Sequence, residues 1–134
     1  MAWRNFREFP GGTGTKYHSQ KVTYNGETFD SKKECRRWLE LKNMESVGLI
    51  SGLQRQKKFV LVPAQYEPDT TGPRGGKIKG KLLEREVAYY ADFVYFDEEE
   101  KDFVIEDTKG VRTKEYIIKR KLMLWLNGYQ IREV

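Results

Sequence analysis

Cysteine and histidine are almost missing from this sequence: its 134 residues hold one of each, Cys35 and His18. A lone cysteine excludes an internal disulfide framework and a cysteine-based zinc site, and it fits a reducing compartment. A single histidine argues against a His-built metal site or a Ser/His triad. Long apolar runs are lacking too. None approaches the ~18 residues of a membrane span, so no membrane association is expected. The stretch Met1–Gly14 has no apolar core and is not expected to act as a signal peptide. A cytoplasmic location follows as the expectation. Repeats and low-complexity tracts are absent. Catalysis, if there is any, has to come from carboxylates and lysines.

Charge is what the chain has in quantity. Charged residues make up 34% of it, and 25 Lys/Arg against 20 Asp/Glu leave a formal net charge of +5. A basic balance suits a polyanionic partner. The acidic run Asp97–Glu100 is confined to one short stretch, so the remainder is more cationic still. With 38% hydrophobic and 13% aromatic residues, one packed domain is expected at this length.

Residues 1–15 end in Gly11-Gly12-Thr13-Gly14 and read as a flexible leader, with a single domain over 16–134. Val22-Thr23-Tyr24, Asn25-Gly26 and Glu27-Thr28-Phe29 predict a small hairpin with an Asn-Gly turn. Ser31 followed by Glu34 is a capping-box pattern and starts a helix that runs to about Val47, ended by Gly48. Leu49–Leu53 reads as a connector and Lys58–Val62 as a strand. Residues 66–80, rich in glycine and lysine, read as a mobile basic loop. Glu86–Phe96 and Phe103–Lys109 are strands joined by the acidic turn. A second helix starts near Thr113 and stops at Asn127-Gly128, and Tyr129–Arg132 is a last short strand. Trp38 and Trp125 sit at helical spacings that suit core packing. The order α-β-β-β-α-β, after a hairpin, predicts an α/β (α+β) fold with one mixed sheet flanked by helices.

The chemistry concentrates on two of these strands. Side chains alternate faces with a period of two. Ala88, Tyr90, Asp92, Val94 and Phe96 then share a face, and Asp92 interrupts an apolar row. On the next strand Phe103, Ile105, Asp107 and Lys109 share a face, whereas Glu106 points the other way. A hairpin through the acidic turn would bring Asp92 and Asp107 together. Two carboxylates at one point repel each other, and an oxygen-preferring divalent cation, Mg²⁺ or Mn²⁺ in its place, resolves the conflict. Such a site suits phosphodiester hydrolysis: the cation activates a water, and Lys109 orients it or stabilises the transition-state charge.

Asp92 followed by Asp107-Thr108-Lys109 on the next strand resembles the motif of the PD-(D/E)XK nuclease superfamily. Phe29-Asp30-Ser31-Lys32-Lys33-Glu34, Tyr90-Ala91-Asp92-Phe93, Glu106-Asp107-Thr108-Lys109-Gly110 and Tyr116-Ile117-Ile118-Lys119-Arg120-Lys121 resemble small phage proteins within it that look like Holliday-junction resolvases. Ala91 stands where the superfamily name has proline. The resemblance covers about Lys16 to Val134. It implies a restriction-endonuclease-like core, with Asp92, Asp107 and Glu34 as metal ligands and Lys109 as the catalytic lysine, and Glu106 as the alternative to Asp107. It also implies a Mg²⁺-dependent endonuclease that cuts branched DNA, in a bacterial host's cytoplasm if phage-encoded. Cutting a four-way junction symmetrically needs two active sites, hence a homodimer.

Candidate phosphate contacts are Lys16, Lys33, Arg74, Lys77, Lys79, Lys114, Lys119 and Lys121. Three readings stay open beside the resolvase. The chain can be another nuclease of the superfamily, such as a nickase or a restriction-like enzyme. It can be an inactive nucleic-acid-binding descendant. It can be a phage protein that binds a protein partner.

Overall fold

The structure, a computed structural model, describes residues 20–109 and 111–134 together with the backbone of Arg7 and Glu8. Most of the leader, Lys16, His18 and Gly110 therefore lie outside the described residues.

Strand β1 (Arg7–Glu8) pairs with β2 (Val22–Tyr24), which turns back into β3 (Glu27–Phe29). Asn25 and Gly26 both take positive φ, 50° and 81°, as an Asn-Gly hairpin turn requires. Helix α1 (Lys32–Ser46) follows, capped by Ser31, whose hydroxyl accepts the N–H of Glu34 at 3.1 Å. Strand β4 (Ile50–Val62) leads into the short strands β5 (Gln65–Tyr66), β6 (Thr70–Thr71), β7 (Lys77–Ile78) and β8 (Leu82–Glu84). Then come β9 (Val87–Asp97), β10 (Asp102–Asp107), α2 (Lys114–Asn127) and β11 (Ile131–Glu133). The expected α-β-β-β-α-β order is present as α1-β4-β9-β10-α2-β11.

The central sheet runs β11-β10-β9-β4, with only the β10–β11 pair parallel. The fold is mixed α+β. Val104 packs with Leu41 of α1, whereas its neighbour Ile105 packs with Tyr116 and Met123 of α2. Successive strand residues point to opposite faces, so the helices cover opposite sides of the sheet.

Four expectations need correction. Leu49–Leu53 is no connector, because β4 already begins at Ile50. Its apolar alternation is broken by a register shift between Ser51 and Gln54, where Gly52 has φ 65°, and as an edge strand it tolerates the polar run Gln54–Lys58. Residues 66–80 are not an unstructured loop but a two-stranded ribbon, β5 with β8 and β6 with β7. Strand β10 stops at Asp107, short of Lys109. Trp125 is not in the core: it is 85% exposed. It lies two residues, about 200° around the helix, from the buried Met123. Trp38 does pack inward, stacked on Phe93 at 6.1 Å between centroids.

A carboxylate cluster on the central hairpin

Strands β9 and β10 form a hairpin whose turn is the acidic run, tied by the N–H groups of Glu99 and Glu100 to Asp97 Oδ1, each at 2.9 Å. The register Ile105↔Val94 and Glu106↔Phe93 carries Asp107 to the position facing Asp92. Strict alternation does not hold along β9, however. Tyr89 and Ala91 join the α2-side cluster, but Phe93 and Tyr95 join the α1-side cluster. Strand β4 changes sides in the same place, with Leu53 on the α1 side and Phe59 and Leu61 on the α2 side. Between them sits Gln56, opposite Asp92, with a left-handed φ of 49°. The expected common face of Ala88, Tyr90 and Val94 is thus broken at Asp92. A non-glycine residue in this conformation inside a strand costs on the order of 1 kcal/mol and tends to mark functional sites.

Asp107 is fully buried. Its Oδ2 accepts the Tyr89 hydroxyl at 2.6 Å and lies 3.3 Å from Lys109 Nζ. Its Oδ1 is buried without a hydrogen-bond donor. Burial first, and then the neighbouring Asp92 carboxyl, push Asp107 up to about 7. Asp92 is held by Thr108, whose N–H and hydroxyl both donate to Oδ2 at 2.8 Å. Those two bonds stand where the β9–β10 ladder would have continued, which is why β10 ends at Asp107. Lys109 sits over the Tyr116 ring, 4.6 Å from its centroid.

Glu34 reaches the same place from α1. Its Oε2 accepts the Asp30 N–H at 3.1 Å, as a cap. Its Oε1 accepts from Gln56 Nε2 at 3.2 Å and lies 3.6 Å from Arg55. The same amide of Gln56 donates to Asp92 Oδ1 at 3.1 Å. Burial, then the charge of Asp92, raises Glu34 above the ordinary carboxylate range. Gln56 thus links two acids that would otherwise repel.

Glu106 belongs to another structure altogether. It is fully buried on the α1 side, where Arg37 grips both its oxygens at 2.8 and 2.6 Å and the Tyr95 hydroxyl donates at 2.5 Å. All its strong acceptors are in use, which leaves the site to Asp107.

The structure sets Asp107 opposite Asp92 with Lys109 3.3 Å from Asp107, and links Glu34 to Asp92 through the Gln56 amide. Among the described residues, no three of His, Cys, Asp and Glu close in on one metal-sized point, because the Gln56 amide stands between Glu34 and Asp92. The donor chemistry fits a hard cation at the Asp92–Asp107 pair. Both ligands are carboxylates, one buried oxygen has no donor, and positive charge there would relieve their repulsion. The basic candidates spread out. Lys33 and Lys114 are exposed at the starts of α1 and α2, and Lys121 is exposed farther along α2. Lys119 pairs with Glu115 at 2.8 Å. On the ribbon, Arg74 is exposed at the tip, Lys77 pairs with Asp69 at 3.1 Å, and Lys79 lies over Tyr66. Sequence reasoning missed Gln56, Tyr89 and Thr108. Only Thr108, inside the Asp-x-Lys motif, had a sequence signal.

A mixed sheet that presents paired carboxylates and a lysine defines the class of site. The chain belongs to the family described as protein of unknown function (DUF1064), whose model matches residues 14–132. No curated protein and no solved structure matches it.

Proposed function

We propose that this chain is a Mg²⁺-dependent, structure-specific DNA endonuclease of the PD-(D/E)XK type, built on a restriction-endonuclease-like core and acting on branched DNA such as four-way junctions. The observation that carries the reading is the buried Asp107. It pairs with Lys109 on one oxygen, lacks any donor on the other, and faces Asp92.

Asp92 and Asp107 would hold Mg²⁺, or Mn²⁺ in its place, with Glu34 beside them. When bound, the cation supplies a water activated at neutral pH and positive charge against phosphate oxygens. Thr108 fixes Asp92 and Tyr89 fixes Asp107, so neither carboxylate has to reorganise on binding. Lys109, held by Asp107 and the Tyr116 ring, stabilises the charge that develops on the scissile phosphate. Hydrolysis is then a single in-line displacement with no covalent enzyme intermediate. Two cuts across a junction need two active sites, which makes a homodimer part of the proposal.

The test is cleavage of labelled four-way junction, duplex and single-stranded DNA, with Mg²⁺ or EDTA, beside Lys109→Ala. Junction cutting that needs the metal, and that Lys109→Ala loses by about 10²-fold or more while still binding DNA, supports the reading. Preferential cutting of duplex moves the activity to a nickase or restriction-like role. Tight DNA binding with no cutting under any metal would leave a binding protein.

A further inference from the structure

We propose that the ribbon Gln65–Glu84 is a preformed contact for double-stranded DNA, set beside the acidic site and distinct from it. The inference rests on the nuclease reading and adds to it where the duplex lies.

Three observations point there. First, the ribbon stands away from the body. Every residue from Gln65 to Val87 is exposed except Gly72 and Gly80, while β5 pairs with β8 and β6 with β7. Second, it is built rather than loose. Glu67 N–H donates to the Lys81 carbonyl at 2.8 Å, Gly80 N–H to Asp69 Oδ1 at 2.8 Å, and Gly72 N–H to the Gly76 carbonyl at 2.7 Å. At Gly80 the strands pass so closely that a Cβ would meet the Glu67 carbonyl oxygen at 1.7 Å. Third, its charge is sorted along its length: the acids Glu67, Asp69 and Glu84 lie in the half near its root, outside the cationic stretch. From Thr70 to Lys81 the basic residues are Arg74, Lys77, Lys79 and Lys81, and no acid occurs in that stretch. The nearest acid, Asp69, is already taken up by Lys77 and Gly80.

A rigid cationic ribbon fits a duplex better than a single strand. Two strands are narrow enough for the major groove, and lysines at fixed spacing suit phosphates. Single-strand binding relies on rows of free aromatics. The ribbon has only Tyr66, and Lys79 already covers its ring at 5.0 Å. Position follows from the strands. Six residues of extended chain separate Gln56, beside the acids, from Val62 at the ribbon's root. At ~3.3 Å per residue that is about 20 Å, or roughly six base pairs along B-DNA. With the duplex laid along β4, the ribbon touches it about six or more base pairs from the cut.

The experiment compares the parent chain with Arg74→Ala/Lys79→Ala/Lys81→Ala and with the same three positions changed to Glu. Binding to labelled duplexes of increasing length, to a four-way junction and to single strands is measured in EDTA over a salt series. Because all three side chains are exposed, melting temperature and Mn²⁺ binding should not change. Duplex affinity should fall about tenfold or more, further with Glu, and the slope of log affinity against log salt should become shallower by about two to three. The parent's gain in affinity as duplexes pass roughly six base pairs from the site should disappear in the variants. Equal affinity and slope in parent and variants would overturn the ribbon's role while leaving metal-dependent cleavage untouched. So would an effect confined to single strands. A parent chain that binds no DNA would overturn this inference and the nuclease reading together.

Discussion

Glu106 and Asp107 are neighbours on one strand, equally inaccessible to water, yet their surroundings assign them opposite roles. Glu106 meets a guanidinium and a phenol. Asp107 meets a phenol and an ammonium on one oxygen only, and a second carboxylate, Asp92, lies beside it while its other oxygen has no donor. Removing Arg37, as in Arg37→Leu, leaves a buried charge unpaired and should cost about 3–5 kcal/mol in urea unfolding, with Mn²⁺ affinity of the folded protein unchanged. Asp107→Asn should abolish Mn²⁺ binding and change the pH profile of stability. In the fold the Asp107 carboxyl is raised from 3.8 to about 7, so the folded chain keeps a proton that the unfolded chain releases. Its contribution to stability is complete below the ordinary value and is lost as pH rises through about 7. Metal-free wild type should therefore lose melting temperature relative to Asp107→Asn between about pH 4 and pH 7. Glu133, Glu98 and Asp69 are held low by their partners and act with the opposite sign, but they are common to both proteins and cancel in the difference. A gap independent of pH would contradict the assignment. Gln56 gives a third check. In Gln56→Gly the relief of the left-handed φ of 49° and the added chain entropy, about 1 kcal/mol each, nearly cancel, but the amide bonds to Glu34 and Asp92 are lost, so stability should fall by about 1–3 kcal/mol. Mn²⁺ affinity should fall, because the amide that holds Asp92 and Glu34 is gone. A variant that loses stability but not Mn²⁺ affinity would make Gln56 purely structural.

At the scale of elements, much could be read from local signals. The Asn-Gly hairpin, the Ser31 cap and the Gly128 C-cap, with φ 70°, are written in two to four adjacent residues each. The hairpin between β9 and β10 was legible because Tyr, Val and Phe runs flank an acidic turn. Strand β4 was not. Its polar middle reads as loop, and only pairing with β9 makes it a strand. The ribbon was hidden for a related reason, since its strands are two or three residues long and have no apolar face to bury.

For the whole molecule, no helix among the described residues is long and apolar enough to cross a membrane. The proposed dimer needs a surface. The C-terminal half of α2 offers Leu124, Trp125 and Leu126, all at least half exposed. Under the junction-cutting reading, sedimentation should show a dimer, and Trp125→Glu should shift it to monomer while each monomer still binds Mn²⁺. A wild-type chain that sediments as a monomer at all concentrations would remove the dimer from the proposal.

The sequence by itself determined the order of elements, the caps and turns, and the candidates Asp92, Asp107 and Lys109. These rest on short-range spacing, which chain geometry converts directly into structure. Strand parity already favoured Asp107 over Glu106 as the partner of Asp92; only the tertiary structure decided that Arg37 and Tyr95 occupy Glu106 while one buried oxygen of Asp107 keeps no donor. It alone placed Gln56 between two acids and folded the basic segment into a ribbon. Each of those depends on strands pairing across long separations and on which face the sheet turns to each helix, and no local pattern carries that information.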